Sequence, residues 1–481
     1  MPTGHRSRRR TAMRVAALID EVEPHLRTAD ALRLSALRDD LDSTLRVALV
    51  GRVNSGKSTL LNALVGQRVA PTNETECTRV VTWYRFGAPA RIEVVGLDGS
   101  SSTIGLHRGL PDDLGRPPDE IDHAVAYLPS ATLRDYELID TPGLAGTNST
   151  SSVATRRALG DSSAARTMVA ADVKVFLSDG APRSDELTFL KEIGAGRVDT
   201  LALLSHADAF GQGALFSSAD PIELAGRHAV TLHRRLAHVA GAVVPVSGLL
   251  AETVLTGRLT EDDARALHRL ASVDDEELIG LLSGDDPSDD NGANVGRLLE
   301  RVGEYGIMYG RRHSHSGAAK LGQWLTERSG LAAVRTEILS RFLHRSDVLK
   351  ARRVFAELRR LASDSPNRAE IHSILEAAQM EPELHGLREL QALELMLQWD
   401  PEHRLVTTLD RLTLAADDAS KLELGADTDQ PTVAEAAKVA CVRAHQERMT
   451  AVSAAEREAW TVLERSYQLI FTAALRSSVG G

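Results

Sequence analysis

Gly51-Arg52-Val53-Asn54-Ser55-Gly56-Lys57-Ser58-Thr59 is the stretch on which the reading of this chain turns. Two glycines bracket four residues, and a lysine and a hydroxyl side chain follow, completing the GxxxxGK[ST] pattern. Upstream lies the apolar run 45–50, and downstream the helical run Leu60-Leu61-Asn62-Ala63-Leu64. Strand, glycine turn and helix in that order wrap backbone N–H groups and a helix N-terminus around a phosphate chain. Val53, Asn54, Ser55, Gly56, Lys57, Ser58 and Thr59 are therefore the first candidate nucleotide-binding residues. In this pattern Lys57 reaches the β- and γ-phosphates and Ser58 offers its hydroxyl to Mg²⁺. A chance glycine-rich turn does not account for the strand, the helix and the complete motif together.

Further candidates come downstream at fitting intervals. Asp140-Thr141-Pro142-Gly143 follows the apolar pair Leu138-Ile139. A carboxylate at a strand end can hold Mg²⁺ through water, and the Gly143 N–H can contact a γ-phosphate, making nucleotide state a local change of order. Thr78, just before a strand-like run, is the candidate switch threonine for Mg²⁺ and the γ-phosphate; Thr75 and Thr72 are the fallbacks, and an ordinary strand-start threonine is the bland alternative. Ser205-His206-Ala207-Asp208 follows another apolar run. Asp208 can accept from both N–H edges of guanine, whereas Ser205 and His206 depart from the usual [NT]KxD letters; His206 could lie flat over the base. Val244-Pro245-Val246-Ser247-Gly248 fits a last loop, whose backbone N–H groups at Ser247 and Gly248 meet the guanine carbonyl. The candidate metal set is Ser58, Thr78 and Asp140, the candidate catalytic set Lys57, Thr78 and Gly143, and GTP with Mg²⁺ the expected ligand.

Outside this centre the texture divides the 481 residues. A chain this long exceeds a single core. Residues 10–43 read as two helices, 44–275 as short strands alternating with helices, and 276–481 as helices alone. The expected fold is an α/β P-loop domain, doubly wound around a mostly parallel sheet, plus an all-α bundle built from N- and C-terminal segments. The N-terminal helices have no core of their own and are expected to pack with the C-terminal ones. The acidic stretch 285–292 has the wrong spacing for a calcium loop and reads as a linker.

Composition narrows the function classes. Cys77 and Cys441 make no disulfide framework or metal-ligand spacing. No stretch approaches the ~20 apolar residues of a membrane span, and no apolar core follows the N-terminal arginines. A net charge of −11 argues against nucleic acid as a partner and against strong attraction to anionic lipid. Neither an exposed apolar tip nor a dense basic patch beyond the first ten residues is evident, and Arg311-Arg312-His313 and Arg359-Arg360 read as solvated faces. The expected location is the cytoplasm, with peripheral attachment at the inner face of the plasma membrane as the variant.

Spacing then selects among P-loop proteins. Lys57 and Asp140 stand 83 residues apart, about twice what a minimal small GTPase requires, and Asp140 and Asp208 a more usual 68. With helices before the phosphate loop and a long helical tail, the chain resembles the dynamin superfamily. Gly56-Lys57-Ser58-Thr59-Leu60 with Asn62-Ala63-Leu64-Val65-Gly66, Ala70-Pro71-Thr72, Thr78-Arg79-Val80-Val81-Thr82-Trp83, Val244-Pro245-Val246-Ser247-Gly248-Leu249-Leu250, Glu327-Arg328-Ser329-Gly330-Leu331 and Arg345-Ser346-Asp347-Val348-Leu349-Lys350-Ala351 carry a narrower resemblance. They look most like the actinobacterial isoniazid-inducible, IniC-type members of the bacterial dynamin-like group, over residues 44–360. The resemblance implies a GTPase that dimerises through its G domains or pairs with a sister dynamin-like protein. It also implies that hydrolysis moves a helical neck and trunk in membrane fission, fusion or repair. Val53 stands where several dynamins place a water-orienting polar residue, so slow basal turnover is expected. The competing readings are a regulatory or assembly GTPase whose helices bind a protein, and a weakly active subunit supporting a sister protein.

Overall fold

The computed structural model describes residues 3–27, 30–71, 80–106, 109–111, 113–142, 171–211, 219–283 and 290–479. They fall into two compact units, one of residues 44–338 and one of residues 1–43 with 339–481.

The first unit is built on a nine-stranded sheet in the order β4-β3-β5-β2-β6-β1-β7-β8-β9. Its strands are β1 (Leu45–Gly51), β2 (Thr82–Phe86), β3 (Arg91–Gly96), β4 (Ser101–Gly105), β5 (Ile121–Leu128), β6 (Tyr136–Asp140), β7 (Val173–Ser178), β8 (Thr200–Leu204) and β9 (Val243–Pro245). From β6 to β9 every neighbour is parallel. β1, β7 and β8 are almost wholly buried, as apolar strands covered on both faces must be. β2 runs antiparallel to β6 and parallel to β5, and β3 is antiparallel to both its neighbours, so the extra length before Asp140 widens the sheet. The result is the expected P-loop α/β architecture with a mostly parallel, mixed sheet.

Register places the site. Leu49 of β1 faces Asp140 of β6, and Gly51 faces Leu177 of β7, so the phosphate-loop strand and the Asp140 strand end at one edge. Helix α3 (Lys57–Val65) starts there, with Gly56 left-handed at its N-cap and Gly66 left-handed at its C-cap. Beyond the sheet, α4 (Ser184–Glu192), α5 (Pro221–Arg235) and α6 (Gly248–Leu255) follow β7, β8 and β9 in turn.

The texture boundary at 275 is not where this unit ends. Helices α7 (Glu261–Leu270), α8 (Asp275–Ser283), α9 (Asp290–Met308) and α10 (Gly317–Arg328) bury Leu267, Leu278, Leu298, Val302, Tyr305, Leu321 and Leu325 in one cluster with Leu250 of α6. Their apolar faces are satisfied on the helix that follows the sheet, so the unit continues through α11 (Leu331–Glu337) to Ile338.

The second unit joins the chain's two ends. α1 (Thr3–Val22) and α2 (Ala31–Asp42) bury Val15, Leu18, Ile19, Leu34, Leu37 and Leu41 against Val354, Phe355, Leu358 and Leu361 of α12 (Ser346–Ser363). Ile371 and Leu375 of α13 (Arg368–Gln379) close the same core. Arg14 forms a bidentate pair with Glu381, and Thr11 donates to the Glu383 carbonyl at 2.8 Å. α14 (His385–Trp399), α15 (Arg404–Leu414) and α16 (Asp418–Lys421) lead to a hairpin of α17 (Gln430–Thr450) and α18 (Ala454–Val479). At the hairpin turn Met449 is 73% and Val452 85% exposed, and Val439 and Val442 are exposed farther back on α17, beyond His445 and Gln446. The sequence reading found no apolar tip, whereas Met449 and Val452 are both exposed at this turn. Among the described residues no helix is long and apolar enough to cross a membrane.

Candidate nucleotide site

The phosphate loop is held by contacts that only its own residues allow. A β-carbon on Gly51 would lie 2.6 Å from the Leu177 carbonyl oxygen and 2.7 Å from Ser55 Oγ, so any side chain would push the loop off β7. Asn54 (φ 63°) and Gly56 (φ 89°) take left-handed conformations that turn the chain into α3. Lys57 is 8% exposed and its Nζ donates to the Gly51 and Arg52 carbonyls at 3.0 and 2.7 Å. Burial lowers its pKa, opposed by Asp140. Ser55 Oγ is buried without a hydrogen bond among the described residues. Val53 stands 41% exposed at the lip.

Asp140, at the end of β6, lies beside this loop. Its Oδ2 accepts from Ser58 Oγ at 3.5 Å, while its buried Oδ1 makes no hydrogen bond among the described residues. Desolvation pushes its carboxyl up to about 6, against the pull of Lys57, Ser58 and the Thr141 backbone N–H. Thr141 Oγ1 donates to the Leu49 carbonyl at 2.7 Å, pinning this strand end to β1. A buried carboxylate oxygen lacking a donor, with a hydroxyl beside it, fits a hard divalent cation. Thr72, Thr75, Thr78 and Gly143 lie outside the described residues.

The other end of this edge is assembled from three loops. His206 is left-handed (φ 53°), and its Nε2 sits 3.2 Å from the Asn54 carbonyl oxygen, lying across the phosphate loop. The Ala207 N–H donates to the Val246 carbonyl at 3.2 Å, tying the Asp208 loop to the loop after β9. Ser205 Oγ is buried without a hydrogen bond among the described residues, and Asp208 is 9% exposed. Ser247 is fully buried and turned inward: its Oγ accepts from the Leu250 N–H at 3.3 Å as the cap of α6, and its own N–H donates to the Ser329 carbonyl at 2.8 Å.

A cavity of about 560 Å³ runs along this edge. Of the sequence candidates, Gly56, Thr59, Ser205, His206, Asp208 and Gly248 line it. Leu60, Leu177, Val246 and Leu249 add apolar wall, and Arg68, Glu252, Arg258 and Glu300 close the far side. Those four charged residues were missed because they come from three separate stretches of chain, at 68, 252–258 and 300, and belong to no motif. Gly303 was missed too: its φ of 64° breaks α9 where a β-carbon would lie 3.6 Å from Asp208 Oδ2. Gly330 carried a resemblance in sequence but no reason. Its φ is 75°, and a β-carbon there would lie 2.3 Å from the Pro245 carbonyl oxygen.

Residues 46–203 match the family described as 50S ribosome-binding GTPase. Over 387 residues the chain is 33% identical to the isoniazid-induced protein IniC of Mycobacterium tuberculosis, spanning 72% of this chain and 73% of that one. The chain belongs to the IniC family of bacterial dynamin-like GTPases. The bacterial dynamin-like protein of Nostoc punctiforme is 30% identical over 111 residues, 20% of this chain and 16% of its own. A solved oligomerised bacterial dynamin pair, described as sensing and tethering membranes at long range, aligns with 100% of this chain and 76% of its own at 14% identity and a TM-score of 0.30. The residues 46–203 of the family match lie in the unit that carries the phosphate loop and Asp140.

Proposed function

We propose that the chain binds GTP with Mg²⁺ and hydrolyses it to GDP and phosphate. The observation that carries this reading is the Lys57 ammonium, buried against its own loop carbonyls beside the donor-starved oxygen of Asp140. On GTP binding, Lys57 exchanges the Gly51 and Arg52 carbonyls for β- and γ-phosphate oxygens, a stronger charge-assisted contact. The loop N–H groups from Val53 to Thr59 and the N-terminus of α3 orient the phosphate chain. Ser58, Asp140 and Thr78 would hold the Mg²⁺, which supplies charge neutralisation at the β- and γ-oxygens. Thr78 and the Gly143 N–H face the γ-phosphate in this proposal, and Asp208 with Gly248 selects guanine. Attack of water on the γ-phosphorus breaks its bond to the β,γ-bridging oxygen and leaves GDP. Val53 cannot polarise that water, so full turnover calls for a group from a second chain, either another copy through G domains or a sister dynamin-like protein.

We further propose that the cycle drives change in the helical segments for membrane remodelling. The exposed Met449 and Val452 at the α17–α18 turn support a peripheral lipid contact, because solvated apolar side chains lose their hydration cost in an acyl layer. The match to ribosome-binding GTPases favours a regulatory reading instead, in which the helices dock a protein or ribosomal partner at a cytoplasmic site. GTP turnover per molecule, measured over a wide range of protein concentration with ATP as comparator, separates them. A rate that rises with concentration and ignores ATP supports the dynamin-like reading; a flat, measurable rate supports the regulatory one. Flotation with liposomes in both nucleotide states, comparing the chain with a Met449→Asp, Val452→Asp variant, tests the lipid contact. Absence of co-flotation by the unaltered chain removes it.

A further inference from the structure

Asn62 is fully buried on α3 and uses every hydrogen-bonding position it has. Its Oδ1 accepts from the backbone N–H groups of Val69 and Ala70 at 2.9 and 2.8 Å. Its Nδ2 donates to the Ala70 carbonyl at 3.0 Å and to Glu252 Oε1 at 2.8 Å. The chain reverses at Gly66 (φ 76°) to make this possible, with the Gly66 N–H on the Asn62 carbonyl at 2.8 Å. Glu252, 1% exposed, belongs to α6, whose first residues Gly248 and Leu249 wall the base end of the cavity. Its Oε1 and Oε2 lie 3.6 Å from Arg68 and Arg258, which line the same cavity. One amide therefore ties three things together: the helix that receives the phosphates, the helix behind the base, and the strand of chain Val69–Ala70. That strand leads within two residues to 72–79, the segment carrying Thr72, Thr75 and Thr78.

We propose that Asn62 and Glu252 are positioning residues for GTP hydrolysis, fixing the entry of the threonine-bearing segment to both nucleotide-binding helices. The inference rests on the GTPase reading above. Asn62 stands outside the cavity lining and acts through Val69 and Ala70, and Glu252, at the cavity wall, acts on them through the Asn62 amide. Removing the amide leaves Lys57, the loop N–H groups and Asp208 in place, so diphosphate binding is retained. What is lost is placement of the γ-phosphate-sensing segment. The cost of misplacing a reacting group by about 1 Å is on the order of 100-fold in rate.

The test uses the full chain, with GDP and GTPγS affinities and GTP turnover measured for the unaltered protein, Asn62→Ala, Glu252→Ala and Glu252→Gln. Asn62→Ala is expected to keep its GDP Kd within about threefold while kcat falls about 10- to 100-fold and the GTPγS-over-GDP preference shrinks toward one. Glu252→Ala should lower kcat and the GTPγS-over-GDP preference likewise, because it removes the acceptor of the Asn62 amide. Glu252→Gln, which keeps an acceptor for the Asn62 amide, should restore most of both quantities. An unchanged kcat and preference in Asn62→Ala overturns the proposal, and so does a loss of GDP binding parallel to the loss of kcat. If the unaltered chain binds no guanine nucleotide, the GTPase reading itself falls. If it binds but does not hydrolyse, the GTPγS preference decides the positioning role alone.

Discussion

Replacing Gly330 by alanine puts one methyl group against the loop whose Val246 and Gly248 line the cavity. The residue sits at φ 75°, and its new β-carbon would stand 2.3 Å from the Pro245 carbonyl oxygen. Left-handed backbone costs an alanine about 1–2 kcal/mol. The contact is with backbone rather than a flexible side-chain end, so the loop itself must shift, adding roughly 1–3 kcal/mol. The same loop is bound on its next turn by the Ser247 N–H on the Ser329 carbonyl, so the shift reaches Val246 and Gly248 in the cavity wall. A total of about 2–5 kcal/mol lowers the melting midpoint by roughly 5–15 °C in a unit of this size. If only about 1.4 kcal/mol of it is relieved by moving the wall, GDP binds about tenfold more weakly. Gly296→Ala is the control: that glycine is helical and exposed, nothing lies within 4 Å of an added β-carbon, and alanine there gains up to about 1 kcal/mol. Scanning calorimetry and GDP titration calorimetry on both variants read the two effects. A Gly330→Ala protein with unaltered midpoint and GDP affinity would refute the reasoning, as would equal shifts in the two variants.

Lys57→Ala removes the ammonium expected at both the β- and γ-phosphates, so GTP binding should vanish by titration calorimetry while far-ultraviolet dichroism stays unchanged; intact turnover would sink the site assignment. Asp199→Ala strands Lys174, whose Nζ lies 3.0 Å from the Asp199 carboxylate with both side chains buried, and should cost about 3–5 kcal/mol in denaturant unfolding. In the second unit, burial and then Arg388 and Arg465 push His385 down from 6.5 to about 4. The folded state keeps the imidazole neutral where the unfolded chain protonates it, so its contribution is present above about pH 6.5 and is lost toward pH 4. The loss amounts to about 3 kcal/mol. Glu389, pushed up by its own burial, titrates in the opposite sense, so the measurement is the pH dependence of unfolding relative to His385→Gln; parallel curves would contradict the assignment.

The buried parallel strands were legible because strands covered on both faces must be continuous apolar runs, as 45–50, 173–177 and 201–204 are. β5 and β4 were not. β5 reads Ile-Asp-His-Ala-Val-Ala-Tyr-Leu, and Asp122 and His123 break its pattern although it lies inside the sheet between β2 and β3. β4 is the sheet edge, exposed along Ser101, Ser102 and Thr103, so no apolar period marks it. The end of the first unit was misjudged for a different reason. Helical texture begins near 276, yet which core a helix joins depends on the partner its apolar face meets, and Leu298, Val302 and Leu321 meet Leu250. Local sequence carries the period of a helix but not the address of its buried face.

The Ser205–Asp208 loop shows why letters can fail where geometry persists. Read as text, Ser205 and His206 replace the two residues that usually define the motif, and only Asp208 survives. In the structure the second position has a task that does not depend on a lysine: a side chain must cross from the β8 loop to the phosphate loop and occupy the Asn54 carbonyl. His206 does so with Nε2 at 3.2 Å, and the left-handed backbone at both His206 and Asn54 brings the two loops within its shorter reach. At the first position the Ser205 hydroxyl makes no hydrogen bond among the described residues, and the bridge to the loop after β9 is made by backbone, through the Ala207 N–H and the Val246 carbonyl. With the lysine's contact taken by an imidazole and the asparagine's bridge by an amide, Asp208 stays in the cavity wall at 9% exposure, in contact range of Gly303 at the break in α9. The motif's spacing is what the fold requires, and its side chains are one of several ways to satisfy it.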